Sequence, residues 1–196
     1  PSLYQLFDQY SGNPLLQAEK AKNQEAALIW DSGSQTVSAT YYQNRIENLI
    51  DYSFTTFKYQ NVSRAQLEGL TLAYQARFED WSIGASADFL DAKNEDSGKK
   101  LGRRAGQKAT LWVSRRIGSF DVGGEFMAVD KRFNSNTETG LMDAYTLTNL
   151  TGRYAITKEL AIEGRINNVF DKQYETALGY GTFGRNAFIG LRYSPK

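Results

Sequence analysis

The feature that most constrains the fold is the alternation in the last third of the chain. From 160 to 169, Leu160, Ile162, Gly164 and Ile166 form an apolar or small set, while Glu163 and Arg165 point the other way. From 186 to 193, Ala187, Ile189, Leu191 and Tyr193 alternate with Asn186, Gly190 and Arg192, and only Phe188 breaks the pattern. Strand side chains repeat with period two, so each segment reads as a half-buried strand with one apolar and one charged face.

The same code recurs upstream. Trp81, Ile83, Ala85, Ala87 and Phe89 alternate with Ser82, Gly84, Ser86 and Asp88. Ala109, Leu111 and Val113 alternate with Lys108, Thr110, Trp112 and Ser114, and Phe120, Val122, Gly124, Phe126 and Ala128 with Asp121, Gly123 and Glu125. In all, about nine strands are expected and no helix. They fall at 19–31, 36–50, 60–78, 81–92, 105–117, 120–132, 144–156, 160–169 and 185–194. The connections alternate in length. Short ones at 31–35, 79–80, 118–119 and 157–159 read as hairpins, and long polar ones at 51–59, 93–104, 133–143 and 171–184 lie between them. Short turns on one rim and long loops on the other form the pattern of an outer-membrane barrel.

Composition is consistent with that class. No apolar run approaches the roughly 20 residues of a transmembrane helix, and a low mean hydropathy does not exclude a barrel, whose strands expose only alternate residues to lipid. Charge is balanced, 23 basic against 22 acidic residues, so no nucleic-acid partner is implied. Trp30, Phe78, Trp81, Phe120, Tyr154 and Tyr193 all lie near a short turn or the chain end, as an interfacial aromatic girdle would. The lipid-facing set is expected to be Ile83, Ala85, Phe89, Leu111, Val113, Val122, Phe126, Ile162, Ile166, Ile189 and Leu191, with Ile162 at mid-depth. A soluble antiparallel sheet with one wet face is the competing fold.

Several motifs resemble TonB-dependent outer-membrane transporters. They are Pro1-Ser2-Leu3-Tyr4-Gln5-Leu6-Phe7, Gly12-Asn13-Pro14 with Glu19-Lys20, Asn48-Leu49-Ile50-Asp51-Tyr52 with Tyr59 and Asn61, and Leu67-Glu68-Gly69. Leu101 with Arg103-Arg104, Asn167-Asn168-Val169-Phe170-Asp171-Lys172 with Tyr174-Glu175, Gly179-Tyr180 and Gly184-Arg185 complete the set. Ala18 replaces the usual Pro before Glu19, and Ser194-Pro195-Lys196 replaces the usual terminal aromatic. Within the family the likeness is nearest to the vitamin B12 (cobalamin) transporters, through Leu49 to Tyr52 and Asp171 to Thr176.

The resemblance implies an all-β, antiparallel meander, residues 1–196 being the C-terminal portion of one transmembrane barrel of about 22 strands. The plug and the earlier strands would lie outside this piece, which opens at Pro1 without Met or signal peptide. It further implies a multi-pass protein of the bacterial outer membrane, importing cobalamin or a ferric siderophore with energy passed through TonB. Lipid and lipopolysaccharide would surround it, and the missing strands and plug would be its partners. A passive porin or structural barrel is the competitor from another class.

Catalysis is not indicated. Without His or Cys, Ser-His-Asp and Cys-His nucleophile systems and zinc sites on those ligands are impossible. No cofactor or metal is assigned. Gly179-Tyr180-Gly181-Thr182-Phe183-Gly184 matches a dinucleotide fingerprint by letter, but it precedes a strand where the fingerprint must open a helix. Asp91, Asn94, Glu95, Asp96 and Gly98 lack the full calcium-loop pattern. Lys99, Lys100, Arg103, Arg104 and Lys108 form a basic cluster on the long-loop rim, available to lipid phosphates. Asn61-Val62-Ser63 and Asn149-Leu150-Thr151 fit a glycosylation sequon but fall in strands.

Binding residues are therefore expected in the long loops. Tyr174 and Tyr180 flank the last one, and a tyrosine offers a broad apolar face with one polar handle to a bulky amphipathic ligand. Tyr180 also falls where the cobalamin transporters carry a substrate-facing tyrosine.

Overall fold

The computed structural model describes residues 1–195, apart from the side chains of Val62 and Ser63. Its elements are α1 (Leu3–Phe7), β1 (Lys20–Asp31), β2 (Gln35–Ser53), β3 (Lys58–Phe78), β4 (Trp81–Asn94), β5 (Gln107–Ile117), β6 (Phe120–Val129), β7 (Arg132–Phe133), β8 (Leu141–Met142), β9 (Tyr145–Ala155), β10 (Leu160–Asn167), β11 (Glu175–Ala177), β12 (Tyr180–Gly181) and β13 (Asn186–Tyr193). Nine of the strands form one sheet in the order β1-β2-β3-β4-β5-β6-β9-β10-β13, every neighbour antiparallel and consecutive within the meander. The remaining four make two ribbons, β7 with β8 and β11 with β12, inside long loops.

Register places the alternation on two continuous faces, because residues directly opposite across an antiparallel pair share a face. One row reads Trp30, Val37, Tyr74, Ala85, Leu111, Phe126 and Thr148. The next one toward the short turns carries Ile83, Val113, Gly124, Leu150, Ile166 and Ala187. Most large members of this face are solvent-exposed, Leu111 at 51% and Leu191 at 75%. A sheet that leaves so broad an apolar face uncovered matches a lipid-facing wall, not a soluble sheet with one wet side. The girdle residues Trp30, Phe78, Trp81, Phe120, Tyr154 and Tyr193 lie on the same exposed face. Phe120 and Tyr154 pack with ring centres 4.6 Å apart, and the Arg115 guanidinium lies 5.0 Å from the centre of the Trp81 ring.

Toward the long loops the outward face turns polar. Beyond Tyr41, Leu70 and Phe89 come Gln43, Glu68 and Asp91, then Arg45, Gln66 and Lys93. The apolar band of β3 thus runs from Leu70 to Phe78, in keeping with the roughly 9 to 11 residues that cross a bilayer as a tilted strand.

The opposite face holds an ion-pair ladder near the short turns. Asp121 accepts from Arg116 at 2.9 Å and Arg153 at 3.2 Å, and Glu163 from Arg192 at 2.7 Å. Glu163 and Arg165 therefore face the polar side, as the alternation requires. Large aromatic residues on this side lie over glycines. A Cβ on Gly84 would collide with the Trp112 indole, one on Gly69 with the Tyr42 ring, and one on Gly190 would approach the Phe188 ring to 3.0 Å. Phe188, the one break in the β13 pattern, is accommodated by the missing side chain two residues on.

Four expectations need correction. A helix is present: α1 is one short turn closed by a capping box between Ser2 and Gln5. The 51–59 loop is mostly ladder, since β2 and β3 stay paired to Ser53 and Lys58 and leave a tight turn. The sixth strand ends at Val129 and gives way to the β7–β8 ribbon. Ile162 is not mid-depth, because it stands opposite the girdle residue Tyr154, close to the short-turn end of β10. Of the sequons, Asn61-Val62-Ser63 lies partly outside the described side chains. Asn149 is buried and donates to Glu125 at 2.8 Å. Lys196 at the terminus lies outside the described residues.

Candidate functional site at the long-loop rim

All the long connections meet at one rim, and asparagines tie them together. Asn136, between β7 and β8, donates through Nδ2 to the Asp51 carboxylate at the top of β2 and accepts from the Gly102 N–H at 2.6 Å. Asn134 accepts from Arg103 Nε at 3.1 Å and from the Leu178 N–H at 3.2 Å. The Arg103 N–H donates to the Phe133 carbonyl at 2.6 Å. Four segments far apart in sequence thereby form one layer. Its small apolar core is Leu49, Ala65, Ala92 and Leu101. Burial raises the Asp51 carboxyl above its ordinary value, opposed by the Tyr52 N–H and the nearby Arg104 and Arg103 guanidinium groups.

The N-terminal segment is part of the same rim. Asn13 donates to the Tyr59 carbonyl at 2.9 Å, the Tyr59 N–H donates to the Ser11 carbonyl at 2.9 Å, and Asn61 exchanges hydrogen bonds with Gln17. The motif residues of the two segments are thus direct partners. Asp8 accepts from the Ser11 hydroxyl and N–H, which holds its carboxyl below the usual range.

The last loop is shaped by Asn168, which is 4% exposed with φ of 51°. Its side chain bonds both the carbonyl and the N–H of Lys172, and its own N–H donates to Asn149. Asp171 accepts from the Arg185 N–H at 2.7 Å, closing the base of the loop. Tyr174 packs on Tyr145 with ring centres 4.4 Å apart, and its carbonyl accepts from Thr182 at 2.8 Å. Together with Asn149, Asn167, Thr182, Phe183 and Asn186 it lines a cavity of about 860 Å3. Tyr180 is on β12, 73% exposed, and does not line that cavity. The two tyrosines share a loop but not a pocket.

Other singled-out groups have structural partners. Asp91 pairs with Lys93 at 2.5 Å and Asp96 with Arg64 at 2.6 Å, while Asn94 closes a turn by accepting from the Asp96 and Ser97 N–H groups. Gly179 has φ of 79° in the turn of the β11–β12 ribbon, and among the described residues no helix follows Gly184. Lys108 faces the polar side opposite Asp88 and so stands apart from Lys99, Lys100, Arg103 and Arg104. Sequence reasoning missed Arg132. It is 6% exposed, donates through Nη2 to the Glu175 carbonyl at 2.6 Å and lies 5.3 Å from the centre of the Tyr145 ring. The contacts that single it out come from residues distant in sequence.

Solved structures share this architecture. The copper transporter OprC superimposes with a TM-score of 0.83 at 17% identity, over 98% of this chain and 34% of its own. The ferripyoverdine receptor of Pseudomonas aeruginosa gives 0.71 at 22% identity, over 95% and 29%. A mutant of the ferric enterobactin receptor PfeA from the same organism gives 0.76 at 18%, over 98% and 36%. The chain spans about a third of the length of these proteins, and at such identities the likeness concerns the fold. The family model "TonB dependent receptor-like, beta-barrel" matches residues 1–169. With its exposed apolar band, aromatic rim and loop-rich opposite end, the chain belongs to the TonB-dependent receptor β-barrel family of the bacterial outer membrane.

Proposed function

We propose that the protein takes part in active uptake of a bulky, scarce nutrient chelate across the outer membrane, with energy supplied through TonB. The observation that carries this reading is the family membership of a wall whose long loops are bonded into one layer over its polar face. A plug, further strands and surrounding lipopolysaccharide complete the proposed assembly. Two ligand classes are in play. A ferric siderophore or related metal chelate is supported by the kind of ligand named for the similar solved structures. Cobalamin is supported by the likeness at Leu49 to Tyr52 and Asp171 to Thr176 and stands as the alternative.

In this reading Tyr174 lines the mouth and Tyr180 meets ligand from the exposed tip of the last loop. Binding of ferric siderophores and of cobalamin to the full-length protein, measured side by side, discriminates the classes. Tyr180→Ala should weaken the ligand that binds by about 1 to 2 kcal/mol, the size of an interface anchor below the dominant ones. Unchanged affinity removes Tyr180 from the site. Uptake that persists when the inner-membrane proton gradient is collapsed would replace active transport with a passive pore.

A further inference from the structure

The Arg132 guanidinium is committed on one side only. Nη2 has the Glu175 carbonyl and the ring of Tyr145 lies alongside, but Nη1 is buried and has no hydrogen-bond partner among the described residues. A buried, unpaired donor on a charged group carries a large desolvation penalty, so such an atom calls for an acceptor. Arg132 lines a cavity of about 250 Å3 at the long-loop rim, which Leu90, Ala92 and Leu101 also line. Around it stand the cations Lys100, Arg104 and Lys131 and the acids Asp91 and Asp130. Asp91 pairs with Lys93 at 2.5 Å, Asp130 keeps its charge while accepting from the Lys131 N–H at 2.8 Å, and Arg104 donates through Nη1 to the Gly102 carbonyl at 3.0 Å. Cations therefore outnumber acids at a concave, partly apolar site, where a charged ligand is screened less than at an open surface.

We propose that this cavity binds an oxyanion, a carboxylate or phosphate group, with Arg132, Arg104 and Lys100 as its donors. The planar guanidinium groups suit a forked oxyanion, and Lys100 adds a point charge. Tyr145 packs against both Arg132 and Tyr174, so the anion would be held one ring away from the mouth of the larger cavity. Resting on the uptake reading above, the inference is that the transported chelate carries negative charge.

The test uses the full-length receptor in detergent, titrated separately with inorganic phosphate and with citrate, phosphate being followed by 31P line broadening and citrate by calorimetry. The expected result is saturable binding of at least one anion, weakened about twofold to fivefold by Arg104→Gln or Lys100→Gln, the scale of one partly exposed charge contact. Lys22→Gln, on β1 away from the cavity, should leave it unchanged. The two variants spare the Arg132–Glu175 bond, and heat-modifiable electrophoretic mobility verifies their folding. Preference between the two probes separates a phosphate from a carboxylate ligand. Absence of saturable binding, or binding equal in wild type and both variants, overturns the proposal. Anion binding does not require transport, so a receptor that failed every uptake assay would still give the signal.

Discussion

Replacing Leu111 by Arg tests the membrane-facing assignment most directly. Leu111 is on β5, four residues from Gln107 and six from Ile117, flanked across the ladder by Ala85 and Phe126 on the same exposed face. A strand rises about 3.3 Å per residue, and with a tilt near 40° about 2.5 Å of that lies along the membrane normal. Leu111 is then roughly 10 Å from one end of the strand and 15 Å from the other, close to the midplane of a hydrocarbon core about 30 Å thick. Arg there should cost about 2 to 4 kcal/mol. Ile162→Arg, in the girdle row opposite Tyr154, should cost only about 0 to 1 kcal/mol, because it can reach the interface. Thr110→Arg, one residue away but on the polar face opposite Ser86 and Met127, should be mild as well. Reversible urea unfolding of the full-length barrel in lipid vesicles gives all three values. Equal costs at Leu111 and Thr110, or a cost at Ile162 matching that at Leu111, would refute the placement of the bilayer.

Three further outcomes follow from packing, titration and pairing. Gly84→Ala should lose about 1 to 3 kcal/mol, since its Cβ meets the Trp112 indole, whereas Gly124→Ala, with Leu150 Cδ2 as nearest neighbour at 3.6 Å, should be nearly neutral; urea midpoints compare them. Because burial raises the Asp51 carboxyl in the folded loop layer, that layer binds the proton more readily than the opened one. Its stability should therefore grow as pH falls from neutral through the raised value, and Asp51→Asn should flatten the dependence, as read by amide exchange at 133–143 corrected for intrinsic rates. Finally, β1 and β13 are each paired on one side only, so a polypeptide of these 196 residues alone in detergent should associate through those edges. A stable monomer with both edges protected from exchange would contradict the pairing argument.

The nine-strand meander was legible because its strands obey period two over eight or more residues, long enough for the pattern to outweigh local exceptions. Those exceptions now have a physical account. Trp112 and Phe188 occupy the polar face because a glycine on the same face, Gly84 across the ladder or Gly190 along the strand, leaves room for the ring. The helix at Leu3 was illegible by periodicity, being a single turn, yet Ser2 and Gln5 carried the Ser-x-x-Gln capping signal. Loop interiors were not legible. Asn136 meets Asp51 across 85 residues and Arg132 meets Glu175 across 43, and nothing local specifies such meetings. Loop position singled out Tyr174 and Tyr180 alike, whereas the cavity that Tyr174 lines and the one that Arg132 lines are built by residues distant in sequence.

The tall hairpin of β2 and β3 sets the outer profile of the molecule. Roughly twelve residues of β3, from Lys58 to Gly69, continue past the apolar band, about 30 Å along the normal at the tilt used above. That reach exceeds the headgroup layer, so the tip with Tyr52, Phe54 and Tyr59 stands clear of the membrane on the long-loop side. The ladder reaches the Ser53–Lys58 pair with a break in regular strand geometry at Asn48, whose φ is 57°, and is braced at its side by the N-terminal segment. Asp51 and Tyr59 near its top are bonded to Asn136 and to the Ser11 carbonyl, so the hairpin and the loop layer brace each other as one body.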